Sequence, residues 1–146
     1  LDPAAGVPFG LSGTAYLRAL VLVSGAVLTI WTSGVVVGIA VEPYRDKLRS
    51  DEEGPGAGGL EGAGEMIGRL ERTLIFASYL AGAPGSLGLL IAAKSIFRFG
   101  DITDPGNREV AEYIIIGTLM SFAFAAVLAL GTTELMELVS RRWPER

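Results

Sequence analysis

The sequence predicts an all-α integral membrane helical bundle, with two long transmembrane helices and a helical hairpin between them, four helices in one domain. Three observations predict it. The 146 residues are half apolar, with a positive mean hydropathy of +0.46, whereas a soluble domain of this size needs a polar shell around its core. Ala19 to Val41 and Tyr113 to Thr133 hold no charged residue, and each is long enough to cross a hydrocarbon layer of about 30 Å at a rise of about 1.5 Å per residue. Between them a third uncharged segment, Thr73 to Ala93, is interrupted at its centre by Gly82-Ala83-Pro84-Gly85-Ser86.

Residues 1–13 are rich in Gly, Pro and Ala and read as an irregular N-terminus. They carry no basic n-region, and the apolar stretch after Arg18 is too long for a signal-peptide core, so the first helix, 14–42, is expected as a retained span. Pro43 discourages helix through Glu42. Residues 43–63 run from a charged stretch into Gly54-Pro55-Gly56-Ala57-Gly58-Gly59 and read as a flexible loop.

Residues 64–99 admit two readings, one kinked span or a hairpin. Proline inside a helix costs about 3 kcal/mol and each neighbouring glycine about 1 kcal/mol. In a hairpin, Pro84 instead falls in the first turn of the second arm, where its missing N–H is harmless. Charge favours the hairpin. Glu71 and Arg72 then lie about 15–18 Å from the tip on one arm, and Lys94 and Arg98 about 15–21 Å from it on the other. Opposite charges meet at one depth, whereas a single span would separate them by the whole bilayer.

Asp104-Pro105-Gly106 is a turn signal, and Asn107 a candidate N-cap for a last helix over 107–140, with Glu109 in its first turn. Glu137 and Arg141 are spaced for an i,i+4 pair, and Trp143 suits a membrane interface. Arg45, Lys47, Arg49, Arg69, Arg98 and Arg108 fall on one side of this topology, and Arg18, Arg141, Arg142 and Arg146 on the other. The slight excess places the first group in the cytoplasm and both termini outside.

The composition removes several chemistries. There is no Cys and no His, so thiolate catalysis, disulfides, Cys/His zinc sites and histidine proton shuttling are excluded. No polybasic run suggests nucleic acid, and no catalytic, cofactor or metal-ligating set is apparent.

Two features suggest how the helices associate. The last span carries Gly117, Ser121, Ala125, Ala129 and Thr133 at four-residue intervals, a ridge of small side chains on one face. The first carries Gly25, Thr29 and Ser33, then Gly34 and Gly38 as GxxxG. Lipid supplies no hydrophobic effect between helices, so close approach along such ridges must hold them. The ridges serve packing within one bundle or an interface between copies.

The second feature is a charge cluster of Arg69, Glu71, Arg72, Lys94, Arg98, Glu109 and Glu112. Lys94 and Arg98 share a helix face and repel unless anions intervene, for which Glu71 and Glu112 are the candidates. Charges at membrane depth cost roughly 2.5–3.5 kcal/mol each by insertion scales. The cluster therefore reads as a salt-bridge network docking the hairpin on the last helix, or as a site for an anionic phospholipid headgroup or an ion path.

Ile67-Gly68-Arg69-Leu70-Glu71-Arg72, Ala92-Ala93-Lys94-Ser95-Ile96-Phe97-Arg98-Phe99, and Ala111-Glu112-Tyr113 with Ile116-Gly117-Thr118-Leu119 and Ser121 form a signature over Gly64 to Ser121. It resembles the C-terminal membrane region of an uncharacterised bacterial family, a domain of unknown function. The resemblance implies a prokaryotic membrane protein with the hairpin and last helix as one unit, and implies no activity. The expected protein is a multi-pass inner-membrane, non-enzymatic subunit or scaffold that self-associates or joins a larger complex. The alternative is a small oligomeric ion channel or transporter using Glu71, Lys94, Arg98 and Glu112.

Overall fold

The computed structural model describes residues 13–51, 62–102 and 108–143, and their side chains over 13–43, 62–96 and 111–143. The N-terminal residues before Gly13, the Gly-rich stretch 54–59, the Asp104-Pro105-Gly106 turn and Asn107 lie outside the described residues. Every regular element described is helical: α1 (Gly13–Val27), a π-helical turn (Leu28–Thr32), α2 (Ser33–Asp51), α3 (Ala63–Leu80), α4 (Ser86–Ile102) and α5 (Arg108–Arg142). The first three run on as one rod, so the described chain makes four rods. Two stretches, Gly13–Pro43 and Ala111–Arg142, are long and apolar enough to cross a membrane.

The first rod corrects the expected stop at residue 42. Pro43 lies inside α2, and helix continues to Asp51 through residues expected as loop. Arg45, Lys47, Leu48 and Arg49 are good helix formers. Pro43 and Ile39 are both exposed, so the Ile39 carbonyl that loses its proline-side donor is not stranded in the interior.

The chain reverses between α3 and α4 because α3 ends in a Schellman cap. Gly82 takes φ 67°, the left-handed conformation that closes such a cap without a Cβ penalty. Its N–H donates to the Tyr79 carbonyl and the Ala83 N–H to the Ser78 carbonyl, at 3.0 and 2.9 Å. The Ser86 hydroxyl bonds the Ala83 carbonyl at 2.8 Å and lies 2.9 Å from the Ser78 hydroxyl. Pro84 is thus two residues ahead of α4 rather than in its first turn. The glycine cap has already ended α3, leaving proline to keep the chain out of helix.

α5 is the central post, packed against α1, the π-turn, α2, α3 and α4. The first rod runs antiparallel to it: the Thr14 hydroxyl donates to the Trp143 carbonyl at 3.0 Å, Gly25 faces Thr132, and Val41 faces Gly117. A Cβ on Gly25 would overlap the Thr132 side chain, so glycine is what lets α1 and α5 approach. Ser121, Ala125 and Ala129 are buried and Gly117 and Thr133 partly so, as a contact ridge requires. Ile75, Phe122 and Ala125 form the apolar core, with Tyr79, Leu87, Leu90 and Ala126 around it.

Candidate functional site

Among the described residues, the members of the expected charge cluster turn to different neighbours. Consecutive residues on a helix point about 100° apart, and this sends Glu71 and Arg72 to different neighbours.

Glu71 turns toward α4. Lys94 Nζ lies 2.5 Å from its Oε1 and donates to its Oε2 at 2.7 Å. The ammonium also stands 5.4 Å from the centroid of the buried Phe122 ring on α5, within cation–π range. The two side chains are only 22% and 13% exposed, so water screens the pair weakly. It ties α3, α4 and α5 together. Arg69 pairs at 2.6 Å with Glu65, a residue the sequence reading passed over, on the exposed side of α3.

Glu112 is exposed on α5 and is not the partner of Lys94, whose carboxylate is Glu71. Glu71 is presented to Lys94 directly across the hairpin, at the same distance from its tip. The side chains of Arg98 and Glu109 lie outside the described residues.

Arg72 turns inward, between the first rod and α5, and is 6% exposed. Its Nε donates to the Ile30 carbonyl at 2.8 Å and its Nη1 to the Ser121 hydroxyl at 3.3 Å. Among the described residues it forms no ion pair. Gly34 makes room for it, since a Cβ there would sit 2.6 Å from Nη2 and 2.9 Å from Cζ. Gly68 does the same from within α3, at 3.0 Å from Nη1.

The π-turn supplies the acceptor side of this arrangement. In an α-helix the Ser33 N–H would serve the Thr29 carbonyl; here it reaches the Leu28 carbonyl, five residues back. The Ser33 hydroxyl donates to the Thr29 carbonyl instead, at 2.5 Å, and Arg72 serves Ile30. Each of these carbonyls is satisfied, as buried backbone demands. Among the described residues, Thr29 Oγ1 is the one side-chain polar atom buried with no hydrogen-bond partner.

Arginine stays protonated in proteins and offers five fixed donors, so this site is a cationic clasp joining three rods, not an acid, base or nucleophile. No group of three or more His, Cys, Asp or Glu that could hold a metal occurs among the described residues. Thr29, Ser33, Ser121, Ala125 and Ala129 are buried where the packing ridges were expected. Of the GxxxG pair, Gly34 receives a guanidinium rather than a helix backbone, and Gly38 is exposed with nothing of this chain within 4 Å of a Cβ built on it. Sequence reasoning missed the π-turn, Gly68 and Phe122. The i,i+4 spacing of Gly68 and Arg72 was the available signal.

No family model, curated protein or solved structure matches the chain. The class defined by the fold is therefore an all-helical bundle with two long apolar helices, built around a buried arginine.

Proposed function

We propose that the chain is a multi-pass inner-membrane protein of a prokaryote, a non-enzymatic subunit or scaffold that associates with itself or with a larger complex. The observation that carries this reading is an exterior rich in large apolar side chains around an interior that mixes apolar and polar groups. Ile39, Val127, Leu89 and Ile96 are 65 to 80% exposed, and Val23, Trp31, Val35, Leu119 and Leu138 also face outward. The interior holds, beside its apolar core, the polar residues Thr29, Ser33, Arg72, Ser121 and Thr132. In water such an exterior is an aggregation hazard. In a bilayer the outward side chains are solvated by lipid, and inward polar groups hold helices that no hydrophobic effect drives together.

Four of those five polar residues gather around the clasp, a local knot rather than a stripe along a span, and this favours a scaffold over a channel.

Alkaline carbonate extraction of cell membranes tests the location: the protein should stay in the pellet, and its release would overturn the reading. Native mass spectrometry from detergent tests the role. A defined oligomer or a co-purifying membrane partner is expected; a lone monomer with ion flux in liposomes would replace the scaffold with a channel.

A further inference from the structure

At the hairpin-tip end, α1, α3 and α5 border an open surface hollow of about 420 Å³, apart from both the clasp and the Glu71–Lys94 pair. Its walls include Arg18, Tyr79, Leu80, Met136, Glu137 and Arg141. We propose that it binds the phosphate headgroup of a membrane phospholipid, with Arg18 and Arg141 on the phosphate.

Charge is the first argument. Arg18 and the Tyr79 hydroxyl have no hydrogen-bond or ion-pair partner among the described residues. Arg141 spends one nitrogen on Glu137 at 3.0 Å and keeps its other donors. These two arginines and one carboxylate leave a single positive charge, matching the single negative charge of a phosphodiester. Guanidinium forks suit phosphate oxygens.

Depth is the second argument, and it rests on the proposed membrane location. Arg18 directly precedes the uncharged run 19–41, and Glu134 directly follows the uncharged run 113–133. The hollow therefore lies at the polar edge of the apolar zone. Trp143, 45% exposed, stands at the same end, its carbonyl held by Thr14; exposed Trp and Tyr gather at headgroup level.

The third argument separates lipid from free phosphate. Leu80 and Met136 give the hollow an apolar wall, useful to a glycerol backbone and the start of an acyl chain but not to an inorganic ion.

The test titrates delipidated full-length protein in detergent with dioleoyl phosphatidylglycerol, read by native mass spectrometry. One lipid should bind ahead of the rest. Arg18→Gln and Arg141→Gln should each weaken it about tenfold, and the pair should reduce it to the level of the later, unspecific lipids. Tyr79→Phe, which keeps the wall intact, should weaken it by a smaller factor. Arg142→Gln, outside the hollow, should change nothing.

Wild-type affinity in the double variant would overturn the site, as would an equal loss in Arg142→Gln. Displacement of the lipid by inorganic phosphate would overturn the lipid assignment. These arginines are exposed, and far-UV circular dichroism of each variant checks that it folds. Failure of the site with carbonate-resistant protein leaves the location standing, whereas release by carbonate removes both.

Discussion

Replacing Gly34 with alanine puts a methyl group where the Arg72 guanidinium now lies. The new carbon would be 2.6 Å from Nη2, and ordinary contact begins near 3.4 Å, so the guanidinium must retreat by roughly 1 Å. Arg72 cannot retreat freely, because Nε is held by Ile30 and Nη1 by Ser121. A hydrogen bond from a charged donor contributes about 1.5–3 kcal/mol, and losing one outweighs the gain of about 1 kcal/mol from alanine over glycine in a helix. The expected net cost is about 0.5–2 kcal/mol, measured by reversible SDS unfolding in mixed micelles. In an Arg72→Met background the guanidinium is gone, and Gly34→Ala should be neutral or stabilising by up to about 1 kcal/mol. An equal effect in both backgrounds would refute the clasp, because the penalty would then not pass through Arg72.

Truncating one member of the Glu71–Lys94 pair should cost about 1–3 kcal/mol by stranding the other charge, and Glu71→Met with Lys94→Met should recover most of it in the same unfolding assay. Removing the exposed Arg69 should cost only about 0.3–0.5 kcal/mol, as for other i,i+4 surface pairs. Gly25→Ala should destabilise by about 1–3 kcal/mol through overlap with Thr132, while Gly38→Ala, facing open space, should be neutral or slightly stabilising. Single cysteines at Gly82 and Gly100 should react with an impermeant maleimide from opposite sides of the membrane; labelling from one side would show that α4 does not cross.

What was legible in the sequence is what depends on one helix at a time. The uncharged runs mark the two long rods, and Gly82 before Pro84 marks the reversal. The Glu71–Lys94 pair follows from equal distances to the tip. The rest depends on the direction a side chain takes between neighbouring helices. Glu71 and Arg72 are adjacent in sequence and at nearly the same depth, yet one faces α4 and the other the first rod. Depth alone could not separate them. The π-turn meets that encounter, since the Ile30 carbonyl within it accepts from Arg72, and nothing in Leu28 to Thr32 read as a single helix announces it. Gly34 and Gly38 show the same limit, since a GxxxG spacing names a face without saying what covers it. Pro43 was over-weighted, because a penalty of about 3 kcal/mol ends a helix only when the residues beyond it prefer another conformation.

The central position of α5 also dictates an order of assembly. The first rod, α3 and α4 all leave the ribosome before α5 does. Until α5 follows, Arg72 has no Ser121, Lys94 has no Phe122, and Gly25 has no Thr132 to close upon. In the proposed membrane setting, three rods with Arg72 only half satisfied must therefore be sheltered by the insertion machinery, or lie loosely beside one another, while translation continues. Synthesis of α5 closes the bundle, so, in that setting, a truncation just ahead of Arg108 should leave a substrate for quality control rather than a smaller working unit.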